Sequence, residues 1–185
     1  MAKAPTSPQG DKPGPRKRAP ARPADLAHGR WLGDFPDLSA AEKRLIACSA
    51  RGEPWEPEGW DGKRPEAESE ASTLRAGLVR FLLLGGDARH PVHERGVAIA
   101  GAWIVDRLDL VDLRSTLGLM MVDCHFAEPI MARNARLAGL CLNRSAFPAL
   151  NAQGVDVQGD VFLNGVQAQG EVSLAGAAIG GQLSC

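Results

Sequence analysis

The chain has 185 residues, with 21 Lys or Arg against 22 Asp or Glu and a formal net charge of −1. That balance excludes a globally basic nucleic-acid binder and a strongly acidic tail protein. The length suits one compact domain, or one domain with tails. Aromatic residues are 5% with no Tyr, which excludes a large aromatic-packed core, and glycine is abundant at 21.

The opening MAKAPTSPQGDKPGPRKRAP holds no apolar stretch of the kind a secretory signal uses. Residues 1–24 are rich in Pro, Ala, Lys and Arg and carry almost no large apolar side chains. Such a segment buries too little surface to offset its ordering entropy, so a disordered tail is expected. Lys12, Arg16, Lys17, Arg18 and Arg22 form its basic cluster. The cluster suits a solubilising role, or contact with anionic lipid, nucleic acid or an acidic partner. By itself it is a weak membrane anchor.

Residues 25–95 read as a small helical cap with loops. Ser39 and Glu42 have the spacing of a capping box, and Ala41, Leu45 and Cys48 share one face of the helix that follows. Arg51 to Arg64 carries Gly52, Pro54, Pro57, Gly59 and Gly62 and reads as loop, anchored by Trp55 and Trp60. A second helix is expected near Ala71–Leu84, with Leu74, Leu78, Phe81 and Leu82 as its stripe and Gly85-Gly86 as its stop.

From residue 96 the rhythm changes. Small or apolar residues come in pairs two apart, and the pairs recur every five or six residues. Val97/Ile99, Ala102/Ile104, Leu108/Leu110 and Leu113/Ser115 begin the series. Leu119/Met121, Cys124/Phe126, Ile130/Ala132 and Ala135/Leu137 follow, and it runs on to Leu183/Cys185. A spacing of two puts both members on one side of an extended segment. The longer recurrence adds a corner after each segment. Four sides close a coil of about 20 to 22 residues, so residues 96–185 are expected to form a parallel β-solenoid of about four coils around a filled axis.

The pairs at fivefold spacing resemble those of pentapeptide-repeat proteins, which form right-handed quadrilateral β-helices. More closely, HPVHERGVAIAGAWIVDRLDL and GEVSLAGAAIGGQLSC resemble a group of bacterial solenoid proteins often labelled membrane-associated oxidoreductases. Some of that group are longer and carry membrane segments, so the resemblance also allows a truncated member. It covers about residues 70–185. It implies a mainly β fold and leaves an oxidoreductase as an alternative function, without a cofactor fingerprint to carry over.

The residue between each inward pair faces outward. The first side then presents Ala98, Met120, Cys141, Phe162 and Ser184, a largely apolar column. The second presents Trp103, His125, Ala146 and Gln167. The third presents Asp109, Met131, Asn151 and Ser173, and the fourth Arg114, Arg136, Asp156 and Ala178. Arg136 and Asp156 are expected to be ladder neighbours. An exposed apolar stripe usually packs against something. Either the second helix or the Trp loop covers the first column, or Met120, Cys141 and Phe162 form a partner surface. The chain stops on an inward pair without a polar cap, which suits end-to-end homodimer formation.

No catalytic, cofactor or metal set emerges. His90 and His93 have HxxH spacing, but Cys124 is expected inward and His125 outward, so ligands do not converge. Asp106, Asp109 and Asp112 should splay apart. Gly176 to Gly181 reads as solenoid corners rather than a dinucleotide loop. Cys48, Cys124, Cys141 and Cys185 show no CxxC spacing and read as reduced thiols of a cytoplasmic protein, peripheral to a membrane at most. The expected function is a non-enzymatic scaffold or protein-interaction module, with a homodimer as one form and no sequence-specific nucleic acid bound. A topoisomerase-binding DNA mimic is disfavoured, because the acidic residues after 96 are interspersed with Arg107, Arg114, Arg133, Arg136 and Arg144.

Overall fold

The computed structural model of the protein describes residues 27–185. Helix α1, Ala40–Arg51, and helix α2, Ala76–Leu83, precede four ladders of short parallel strands. Along the first face the rungs are Val97–Ala100, Leu119–Val122, Leu140–Cys141, Val161–Phe162 and Leu183–Ser184. The second face carries Trp103–Val105, His125–Phe126, Ala146–Phe147 and Gln167–Ala168. The third and fourth carry Ile130–Met131 and Arg136–Leu137 with their partners below, and single bridges from Asp109 and Arg114 extend them upward. The molecule is therefore a mainly β, parallel solenoid of about four turns.

The register follows from the paired pattern. Val97 aligns with Leu119, Leu140, Val161 and Leu183, steps of 21 or 22 residues. Each alignment stacks like on like, so one inward column stays apolar along the rod. The inward pairs from Val97 to Leu163 are buried, except for half-buried Ser115. Each fully buried Val, Leu, Ile or Phe contributes roughly 1.5–3 kcal/mol. Beyond Leu163 the inward residues have no rung below, and Val172 and Leu183 are 38% and 47% exposed.

Between Val97 and Leu163 three inward positions are polar or thiol, and each finds a partner. The Ser145 hydroxyl donates to the Met121 carbonyl and accepts from the Cys124 N–H, both at 3.1 Å. The Cys124 thiol donates to the Val122 carbonyl at 3.4 Å. Ser115 donates to the Leu83 carbonyl at the end of α2, linking the solenoid to the cap.

Two corners of each coil turn through left-handed backbone. Gly101, Asp123, Arg144 and Gly165 occupy one, and Asp112, Asn134, Gly154 and Gly176 the other. Asp and Asn tolerate this conformation, but Arg at φ 56° is unusual. Arg144 is held there by a two-point ion pair to buried Asp123, at 2.8 and 2.6 Å.

The N-terminal end is closed by the cap. Trp55, fully buried, adds a parallel rung to the first face through hydrogen bonds with Ala98 and Ala100. Thr73–Arg75 adds one to the second face, pairing with Trp103–Val105. The expected helix over Ala71–Leu84 therefore begins only at Ala76. The open edge of the Trp103 rung draws Thr73 and Leu74 into strand, where Leu74 enters the axis. The buried apolar residues of α2 then lie across the end of the rod.

Charge locks this cap in place. Ser39 and Glu42 form the expected capping box on α1. The Glu42 carboxylate also receives the Arg75 guanidinium at 2.6 and 2.7 Å. Burial pushes the Glu42 carboxyl up, but the hydrogen bonds from Arg75 and the Ser39 N–H outweigh it and hold the acid below its ordinary value. Asp87 accepts backbone N–H bonds from Leu32, Arg89 and His90 and a ring contact from His90 at 3.0 Å. Burial opposes ionisation there too, yet these bonds lower its pKa to about 2. Asp87 thus ties the turn at Leu32–Asp34 to the Gly86–Pro91 hairpin.

Candidate interaction surfaces

The outward columns fall where the five-residue rhythm puts them. Ala98, Met120, Cys141, Phe162 and Ser184 are consecutive partners on the first face. Met120 is 42% exposed, and the other four are half-buried. Gly118, Ala138, Gly139 and Gly159 lie beside them, so the column sits in a shallow groove of about 510 Å³. Gly96 opens this glycine corner at φ +82°, where a Cβ would stand 2.3 Å from the Gly118 carbonyl oxygen. A side chain at Gly96 would press on the next coil, whereas at Gly118 and Gly139 it would stand at ordinary contact distance, 3.7 and 3.8 Å from its nearest neighbours. Glu94 and Arg95 border it at the capped end, and Asp160 lies toward the other.

The expected covering of this column is corrected by the structure. Helix α2 sits across the end of the rod, and the Trp loop turns toward the second face. Trp60 lies against Gly101 and donates its indole N–H to the Lys63 carbonyl. Arg64 then donates to the Arg144 carbonyl at 2.9 Å and the Gln167 side chain at 2.6 Å. The loop is thus an arm clasped along the second face.

On the second face Trp103 and His125 stack with ring centroids 3.9 Å apart and planes at 12°. Burial, then the nearby Arg64 cation, lowers the His125 pKa below its ordinary 6.5, which favours the neutral ring. The sequence placed both rings in one outward column. It held no periodic signal for the arm over them.

On the fourth face Arg136 and Asp156 pair at 3.3 Å, and both side chains are about half exposed. The bond is worth little there. Arg114 and Arg136 are also neighbours in that ladder. Asp109 meets His28 at 3.2 Å and Asp112 meets Asn134 at 3.1 Å, so these carboxylates do splay. His90 turns to Asp87, and His93 lies under Gly52. Among the described residues no group of His, Cys, Asp or Glu is arranged to hold a metal ion, and no helix is long and apolar enough to cross a membrane.

The four thiols are free. Cys124 is wholly buried, and burial pushes its pKa up to about 12, so it is inert as a nucleophile. Cys141 is half-buried in the first-face groove. Lys12, Arg16, Lys17, Arg18 and Arg22 lie outside the described residues. Comparison with protein-family models, curated proteins and solved structures returns no match to this chain.

Proposed function

We propose that the protein is a pentapeptide-repeat-like scaffold that docks a protein partner on its first face, in a reducing compartment such as the cytoplasm. The observation that carries this reading is the outward Met120–Cys141–Phe162 column, with Met120 exposed and Cys141 and Phe162 half-buried, set in a groove that neither the cap nor the arm fills. The rigid ladder holds these side chains at fixed spacing, which limits the entropy lost on binding. Met and Phe are enriched in interface centres, and the charged groups lie at the groove's borders, as in interface rims. The axis is filled with side chains, so recognition falls to the faces. The four free thiols support the compartment.

A photoreactive label on Cys141, in a chain with Cys48 and Cys185 changed to Ser, tests the reading. In the cells that make the protein, the label should transfer to a discrete protein band. The same label on the fourth face, through Ala178→Cys with Cys141→Ser, should not. Equal transfer from both faces, or none from Cys141, would overturn the docking face.

A further inference from the structure

The first face is self-complementary, and we infer that its partner is a second copy of this chain, packed face to face with the solenoids antiparallel. The inference rests on the docking-face reading above and names its occupant. Read along the groove, the outward column runs Ala98, Met120, Cys141, Phe162, Ser184. By size this is small, large, small, large, small, a palindrome centred on Cys141. A two-fold axis crossing the column at Cys141 lays Met120 of one copy beside Phe162 of the other. It faces Ala98 with Ser184 and Cys141 with itself. An isologous interface requires this match of a patch with its own reverse.

Charge selects the antiparallel arrangement. Arg95 and Asp160 lie on the same edge of the first face, Arg95 just before the Val97 rung and Asp160 just before the Val161 rung. Among the described residues neither has an ion-pair partner; the Asp160 carboxylate accepts one hydrogen bond, from the Gln182 N–H at 2.7 Å. An axis in the interface and perpendicular to the rods keeps that edge on one side and reverses the order of rungs. Arg95 of each copy then comes within one rung, ~4.8 Å along the rod, of Asp160 in the other. Glu94, the residue before Arg95, also borders the groove. A two-fold parallel to the rods would leave Arg95 and Asp160 on opposite edges. Five rungs span on the order of 20 Å, so the two narrow faces together bury less than the roughly 1,200–2,000 Å² of a standard stable interface. The dimer is therefore weak and concentration-dependent.

Sedimentation velocity on the purified chain, with Cys48 and Cys185 changed to Ser, tests this from low to high micromolar. The chain should pass from monomer to dimer. Phe162→Lys should weaken association at least tenfold, with its circular dichroism unchanged. Arg95→Glu and Asp160→Lys should each weaken it severalfold, and the two together should recover most of the loss. Orientation is read by a short bis-maleimide in a Cys141→Ser background. A mixture of Met120→Cys and Phe162→Cys chains should link predominantly as mixed pairs. A monomer at every concentration overturns the second-copy inference and leaves the docking face to the Cys141 label. A dimer that ignores Phe162→Lys but is lost in Leu183→Glu places the contact at the last rung and also overturns it. Dominant Met120–Met120 linkage overturns the antiparallel packing.

Discussion

The first and second faces share one backbone ladder and one apolar axis, yet only one of them is covered. On the second face the arm is clasped over the ladder by Arg64, and Trp103 and His125 stack beneath it. On the first face Met120, Cys141 and Phe162 stand in an open groove. The repeat therefore determines where outward side chains sit, and the non-repeating cap determines which of them meet solvent. In a solenoid, stability and recognition are carried by different residues of the same strand.

The largest expected effect is one that removes both faces together. Leu140→Asp or Leu163→Asp places an unpaired charge among side chains only 3% exposed. The loss should be at least about 4 kcal/mol, read as collapse of the cooperative thermal transition. A folded, soluble variant would show that the inward register is wrong.

Removing the cap's lock should act next. Glu42→Ala strands Arg75 in a half-buried setting, at an expected loss of about 2–4 kcal/mol by denaturant unfolding. Acid should reproduce part of it. The folded pKa values of Glu42 and Asp87 lie below the ordinary 4.5 and 3.8. Their stabilisation is fully present above those ordinary values and fades as pH falls through the lowered ones. Hydrogen exchange at low pH should therefore open residues near α1 and the Gly86–Pro91 hairpin before the apolar axis residues of the middle rungs, such as Leu119, Leu140 and Leu142. Simultaneous opening would contradict this division.

Arg64→Ala should separate the faces more finely. Two exposed hydrogen bonds are lost, at about 0.5–1.5 kcal/mol. Proteolysis should accelerate within residues 56–70, and the His125 pKa should rise toward its ordinary value as the neighbouring cation is removed. The first face should not respond. The smallest effect on folding is expected for Met120→Glu, within about 0.5 kcal/mol for an exposed site, although it should abolish label transfer from Cys141.

The solenoid was legible in the sequence because its axis imposes a short period. Leu119, Leu140 and Val161 must align or the core fails, so spacing alone assigns all four outward columns and the Arg136–Asp156 pair. The capping box at Ser39 and Glu42 was legible for a similar reason, since a first turn needs those groups at that distance. The start of α2 was not. Thr73 and Leu74 suit a helix by local pattern and become strand only because the Trp103 rung offers an open edge. The arm was illegible too, since one Arg reaching the Arg144 carbonyl and Gln167 leaves no repeat to read. The sequence raised the first-face column as a partner surface, but whether it was covered depended on that arm.

The most direct test of the open first face is the alkylation rate of Cys141 in the dilute purified chain and in intact cells, with Cys124 as the internal standard. Cys124 should stay unmodified in both, because it is buried and its pKa is about 12. Cys141 should react readily in the dilute chain and be protected severalfold in cells, where its groove is occupied. Equal rates in the two settings would show that nothing docks there and would contradict the account.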